Sequence, residues 1–233
     1  MKQQKSSPPI QEETIISPYG LQRRNMFKFL GAAAAITAVG VSCKKDDDPG
    51  TMNNGAVNLG SGDTGILNYA YALEQLEAAF YTQVVATPYS GISADELNYM
   101  KDIKNHEIIH REFFKAAIGS AAIIGLTVNF SSIDFTSRSS VLATAMAFED
   151  LGVNAYNGAG KLIVSADYLT LAGKIVSVEA RHAALIRDLI TPGTFANSVD
   201  INALDTAKSP AEVLAIAGTY ITNTIDASNL PTS

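Results

Sequence analysis

The motif Glu-x-x-His occurs twice in this chain, as Glu107-Ile-Ile-His110 and as Glu179-Ala-Arg-His182. The sequence holds three histidines, so two of the three stand in the same motif. Residues three apart on an α-helix lie on one face, about one turn from each other. Each motif can therefore present a carboxylate and an imidazole to one metal ion, and two such helices that face each other can bind two ions.

Each motif is preceded by a glutamate that has a tyrosine seven residues after it. Glu74 and Tyr81 precede the first motif, and Glu149 and Tyr156 precede the second. The chain thus has two pseudo-equivalent halves, with the order Glu, Glu-x-x-His, Glu, Glu-x-x-His. That is the ligand order of a di-iron or di-manganese carboxylate site in a four-helix bundle. The predicted metal ligands are Glu74, Glu107, His110, Glu149, Glu179 and His182.

The spacing of these residues agrees with two antiparallel helix pairs. Breakers near residues 86–93 mark the first turn, and the second turn is expected near residues 164–165. Glu74 and Glu107 lie roughly 17 and 20 Å from the first turn at 1.5 Å per residue. Glu149 lies 15 residues before the second turn and Glu179 lies 14 residues after it. All six side chains are therefore expected at one depth in the bundle.

The fold class predicted from periodicity is all-α: a four-helix bundle with a long crossover between helices two and three and a short C-terminal helix. Residues 119–137 are apolar without helical period and are predicted to form the crossover, packed along the bundle. No segment is predicted as a strand. The helices are predicted from about Thr64 to Val85, from Ser93 to about Ile118, from about Arg138 to Val164, from about Ala166 to Ile190, and from the cap Ser209 to about Thr224.

Residues 1–42 are predicted to be a signal peptide. The apolar stretch from Phe29 to Val41 is too short to span a bilayer as a helix but suits a signal-peptide core. The pair Arg23-Arg24 before it resembles a twin-arginine export signal. The alternative is that these arginines stand by chance in an ordinary signal peptide.

Cys43, the only cysteine, ends the apolar stretch and is followed by Lys-Lys-Asp-Asp-Asp. This arrangement resembles the start of a bacterial lipoprotein, in which Cys43 would carry lipid and anchor the chain to the outer membrane or cell surface. Gly40 departs from that pattern, and without lipid the expected location is the periplasm. Residues 43–62, rich in Gly, Asn, Asp and Ser, are predicted as a flexible tether, and residues 63–230 as the bundle domain.

The charge balance disfavours a nucleic-acid partner. Residues 1–42 carry five basic and two acidic side chains, so their removal leaves 12 basic against 21 acidic residues, a formal charge of −9. A protein that binds nucleic acid needs a basic patch to hold phosphates, and this chain has none in sequence. Bound metal would offset part of the acidic excess.

Several neighbouring residues leave alternatives open. Glu77, one turn after Glu74, competes with it as a ligand or is a plain surface residue. Tyr81 and Tyr156 either donate hydrogen bonds to ligand carboxylates across the bundle or are ordinary core tyrosines. His106 directly precedes Glu107 and is expected to point away from the site. The alternative to a metal site is a hydrogen-bonded buried network, which would leave four carboxylates costly to bury.

Four segments carry a resemblance to the ferritin-like superfamily, and they are residues 73–81, 107–114, 148–156 and 179–182. The likeness spans about residues 63–190 and extends to an exported branch that includes plant desiccation-related proteins. It implies two iron or manganese ions and a reaction with O₂, peroxide or ferrous iron, as in a ferroxidase, a peroxidase or a catalase. A homodimer is compatible with it. The competing interpretation is a non-catalytic, surface-tethered stress or binding module with a structural metal site.

Overall fold

Four long helices form a bundle in the computed structural model, which describes residues 52–53, 55–197 and 199–232. Helix α1 packs against α2 and α3 packs against α4, and α1 also contacts α3. This arrangement confirms the predicted all-α class. None of the described helices has both the length and the apolarity needed to cross a bilayer. The helices are α1 Gly62–Ala86, α2 Ala94–Ile118, α3 Arg138–Gly160, α4 Ala166–Ile190 and the short α5 Pro210–Ala217.

Serine caps fix where most of these helices begin. Helices α2 to α5 each begin after a serine whose side chain accepts a hydrogen bond from a backbone N–H of the first turn. In chain order these serines are Ser93, Ser137, Ser165 and Ser209. Ser209 also forms a capping box with Glu212. Such caps satisfy N–H groups that have no partner within the helix.

Two helices end earlier than predicted. Helix α3 ends at Gly160 rather than Val164, because the Asp63 carboxylate binds the backbone N–H groups of Val164 and Ser165 at 2.8 Å each and turns the chain into α4. Helix α5 ends at Ala217 rather than Thr224, where tight turns lead into a bridge between Ile221 and Val128. Tertiary contacts therefore override the apolar patterns that would extend both helices.

The segment between α2 and α3 is the predicted crossover, and it contains one short 3₁₀ turn at Gly119–Ala121. Two buried polar side chains of α1 hold it. Asn68 donates to the carbonyl of Ala121 at 2.9 Å, and Gln75 accepts from the N–H of Leu126 at 2.7 Å. Ile123 on this segment is buried in the core. The crossover therefore packs along the bundle, as its apolar content predicts.

The described part of the chain includes three short strands that were not predicted. They are β1 Met52–Asn53, β2 Ala56–Asn58 and β3 Ile225–Asp226, with β1–β2 antiparallel and β2–β3 parallel. Val57 and Leu59 are 0 % exposed. The flexible-tether prediction is therefore wrong for residues 56–60, which belong to the folded domain. A run of three residues is too short to show a strand pattern in the sequence. Its pairing partner β3 lies near the other end of the chain, so local sequence does not reveal the pairing.

The segment before α5 crosses α3 at a point where only glycine fits. The N–H of Lys208 donates to the carbonyl of Asn154 at 3.0 Å. A Cβ at Gly158 would lie 1.7 Å from the carbonyl oxygen of Lys208, whereas a Cβ at Gly173 on α4 would meet nothing within 4 Å. The close backbone approach at Gly158 therefore holds the C-terminal segment against the bundle.

We predict opposite effects for two Gly→Ala substitutions in helix interiors. Gly158→Ala should lower the free energy of unfolding by about 1–3 kcal/mol or more, because the new methyl group collides with backbone. Gly173→Ala should raise it by about 0.5–1 kcal/mol, because alanine favours helix and meets open space. Urea denaturation of the two variants beside the unchanged chain measures both, and equal effects would contradict the packing described.

Candidate metal centre

The six predicted ligands meet in the core of the bundle. Each of the four long helices contributes at least one of them, and all six are buried. They form two groups whose ligand atoms all lie within 4.8 Å of one another, so each group could hold a metal ion. The groups are Glu74, Glu107, His110 and Glu179, and Glu107, Glu149, Glu179 and His182.

Glu107 and Glu179 belong to both groups, and each divides its two oxygens between them. Oε1 of Glu107 lies 3.0 Å from Nδ1 of His182, and its Oε2 lies 3.7 Å from Nδ1 of His110. Oε1 of Glu179 lies 2.9 Å from Nδ1 of His110, and its Oε2 lies 3.6 Å from Nδ1 of His182. Each carboxylate is therefore placed to bridge two ions.

Glu74 and Glu149 each belong to one group and each use one oxygen toward it. Their Oε2 atoms lie 3.5 and 3.4 Å from the histidine Nδ1 of their own group. The other oxygen of each accepts a hydrogen bond from a tyrosine across the bundle: Tyr156 donates to Oε1 of Glu74, and Tyr81 donates to Oε1 of Glu149. Of the two alternatives for these tyrosines, the structure has the hydrogen bonds across the bundle, and these orient both carboxylates.

The remaining ligand atoms have no hydrogen-bond partner among the described residues. The histidine–carboxylate contacts do not have hydrogen-bond geometry, although the shortest is 2.9 Å. Buried polar atoms are costly to leave without a partner, and a cation at each group would satisfy all of them. These eight atoms are Glu74 Oε2, Glu107 Oε1 and Oε2, His110 Nδ1, Glu149 Oε2, Glu179 Oε1 and Oε2, and His182 Nδ1.

The pKa values of these side chains indicate that the buried site carries an excess of negative charge. Burial raises the pKa of Glu74 well above its usual range and that of Glu149 to about 8. Burial also acts on Glu107, but its contacts with both histidines outweigh burial and lower its pKa to about 2. Burial alone would lower the pKa of His110 and His182, yet the close carboxylates raise both to about 12. Without metal, protons take the place of cations.

Glu77 is a fifth buried carboxyl group in this region, at 4 % exposure. Its Oε1 lies 3.2 Å from the place where a Cβ of Gly152 would stand, so a side chain there would crowd it. The surface alternative for Glu77 is therefore wrong, although Glu77 joins neither ligand group. Burial, followed by the nearby ligand carboxylates, raises its pKa well above the usual value, which favours its neutral form. Four ionised ligand carboxylates would then balance two divalent ions.

His106 lies against the site, contrary to the prediction. It is exposed, yet its Nδ1 lies 2.8 Å from Nε2 of His182. Burial, followed by the charges of His182 and His110, lowers the pKa of His106. The signal in the sequence was its spacing of four from His110, because residues four apart share a helix face.

A comparison with protein families connects this geometry to a known fold. The sequence model described as a ferritin-like domain matches residues 62–192, which is more than half of the chain. The match includes α1 to α4, the crossover and all six residues of the two groups. No curated protein matches the sequence.

We predict that the metal-free protein loses stability as pH rises from 5 to 8. The folded pKa of Glu149, about 8, exceeds its ordinary value of 4.5, so the folded state holds a proton that the unfolded state releases in this window. His110 and His182 act with the same sign above pH 6.5, while Glu107 acts with the opposite sign only below pH 4.5. The expected loss is on the order of a few kcal/mol, measured by urea denaturation with a chelator.

Saturating Mn²⁺ should reverse this trend, because metal displaces protons and binds more tightly as pH rises. Glu149→Gln serves as the control variant, since it removes one titrating group and should flatten the metal-free curve. A metal-free stability that increases between pH 5 and 8 would contradict the electrostatic description.

Proposed function

Because the chain belongs to the ferritin-like domain family, we propose that its bundle binds two iron or manganese ions and uses them as a redox centre. The observation that carries this proposal is the set of eight buried ligand atoms without hydrogen-bond partners among the described residues. Carboxylate and imidazole donors without thiolate suit iron or manganese better than soft metals. The buried ligand set, rather than the fold, supports this function, since a fold by itself does not determine a function.

In this proposal each ion has its own pair of ligands and shares two more. Glu74 and His110 would hold one ion, Glu149 and His182 would hold the other, and Glu107 and Glu179 would serve both. Bound iron or manganese would supply a change of oxidation state and open positions for small oxygen species.

The surrounding side chains support such chemistry in three ways. The hydrogen bonds from Tyr81 and Tyr156 hold the carboxylates of Glu149 and Glu74 in fixed orientations. Burial of every ligand limits water at the centre, which strengthens its electrostatic interactions. The carboxyl group of Glu77 is buried close to the ligand carboxylates, and burial and these carboxylates raise its pKa.

A cavity beside Tyr156 supports access by a small neutral molecule. It lies between the four long helices, has a volume of about 20 Å³, and has Leu73, Phe114 and Ala155 in its mainly apolar wall. Tyr156 also lines it, and its hydroxyl donates to Glu74. An apolar wall offers few hydrogen-bond partners to an ordered water, whereas a small apolar molecule needs none. Dioxygen is therefore our first candidate substrate, and peroxide and ferrous iron are the next.

We also propose that the protein acts outside the cytoplasm, in oxidative or desiccation stress. The support is the twin-arginine-like signal and the Cys43 lipoprotein pattern, together with the resemblance to the exported branch. The signal and Cys43 lie outside the described residues. A homodimer tethered to the membrane by lipid is compatible with this proposal.

We predict that the purified full chain, loaded with Fe²⁺ or Mn²⁺ and desalted, retains about two ions per chain by mass spectrometry. Glu107→Ala/His110→Ala should retain fewer than one, because it removes a ligand shared by both ions and a ligand of one. Glu112→Ala, an exposed glutamate of the same helix, is the matched control and should retain two. Absence of bound metal in the unchanged chain would overturn the proposal.

The reaction is tested on the loaded protein by adding O₂ or hydrogen peroxide separately. Oxidation of the bound iron by O₂, followed by turnover with added ferrous iron, would support a ferroxidase. Turnover with peroxide alone, which releases O₂ and water, would support a catalase, and peroxide consumption that requires an added electron donor would support a peroxidase. Two tightly bound ions that react with neither would favour the non-catalytic, structural metal module.

We predict that Cys43→Ser releases the protein from the membrane. Without the thiol no lipid can be attached, so the chain should move from the membrane fraction to the soluble fraction while its folded domain stays intact. Fractionation of cells that express each form, with metabolic labelling by a fatty-acid analogue, measures this. Equal distribution and no label on the unchanged chain would contradict lipidation.

A further inference from the structure

The two histidines of the centre have different surroundings on their outer side. Nε2 of His182 lies 2.8 Å from Nδ1 of His106, and their rings are almost parallel, at 11° with centroids 5.1 Å apart. That separation is about the hydrogen-bond length plus two ring radii, so the rings meet edge to edge rather than face to face. The contact is therefore an in-plane hydrogen bond between ring nitrogens.

This hydrogen bond selects one tautomer of His182. Its Nδ1 faces the carboxylates, 3.0 Å from Oε1 of Glu107 and 3.4 Å from Oε2 of Glu149. A neutral imidazole that binds metal through Nδ1 carries its proton on Nε2, so Nε2–H donates to Nδ1 of His106. His106 then carries its own proton on Nε2. The ring of His182 is fixed in rotation as well as in protonation.

The other half of the site lacks this support. His106 directly precedes Glu107, and the corresponding residue before Glu179 is Val178. A valine side chain has no hydrogen-bond acceptor, so it cannot provide the same contact for His110. The two halves of the site thus have equivalent ligands but differ at the residue before each Glu-x-x-His motif, which is His106 in one half and Val178 in the other.

We propose that His106 is a positioning residue for one of the two metal positions, and that it makes the position of Glu149 and His182 the tighter of the two. The inference rests on the proposed di-metal function. A partner that orients a histidine ligand typically contributes 10–100-fold to metal affinity. The two ions therefore bind in sequence, and only the first step depends on His106.

The test is a titration of the metal-free full chain with Co²⁺, followed by calorimetry and by the visible absorption of the bound ion. His106→Ala should weaken one of the two binding steps by about 10–100-fold and leave the other unchanged. His106→Asn should recover most of that loss, because the asparagine Oδ1 stands near the place of Nδ1 and accepts a hydrogen bond. Val178→Ala is the matched control and should change neither step.

Each outcome bears on one proposal. Two unchanged steps in His106→Ala would overturn the role of His106 while leaving the di-metal function intact. Equal loss in His106→Ala and His106→Asn would also overturn it, because acceptor chemistry would then be irrelevant. Thermal unfolding of the metal-free variants identifies a loss due to folding, which His106→Asn should not show. An unchanged chain that binds no ion at all would overturn the proposed function itself.

Discussion

Burial of carboxylates in a helical core is the constraint on which this structure depends. Four ligand glutamates and Glu77 lie inside the bundle, where ionised groups without counter-charges would oppose folding. The pKa values follow from this, because raised carboxyl and imidazole pKa values both recruit protons to a site that is too negative. Two divalent cations would supply the same positive charge and also satisfy the ligand atoms that lack hydrogen-bond partners among the described residues.

The parts of the fold outside the four helices hold those helices at the depth that the site requires. The crossover is hydrogen-bonded to Asn68, six residues before Glu74 on the same helix, and to Gln75, the residue directly after Glu74. The Asp63 carboxylate sets the turn between α3 and α4. At the same end of α1, strand β2 buries Val57 and pairs with the C-terminal strand. Helix α1 is thereby fixed along its length, and a displacement of α1 would move Glu74 and Tyr81 together.

The two halves of the site repeat in ligands and tyrosines but differ in two supporting positions. Glu77 corresponds to Gly152, and the missing side chain at Gly152 makes room for the carboxyl group of Glu77. His106 corresponds to Val178, and of these two residues His106 alone forms a side-chain hydrogen bond with a candidate ligand. Both departures make the two ligand groups chemically unequal.

By itself, the sequence determined the all-α class, the four long helices, the crossover and the six candidate ligands. Helix period and the repeated Glu-x-x-His motif are local patterns, so they can be recognised in the sequence alone. Only the tertiary structure decided that Val57 and Leu59 belong to the core, that α3 ends at Gly160, and that His106 reaches His182. Each of those facts depends on a contact with a residue far along the chain. The residues next to a position in the sequence do not indicate which distant backbone or side chain will contact it after folding.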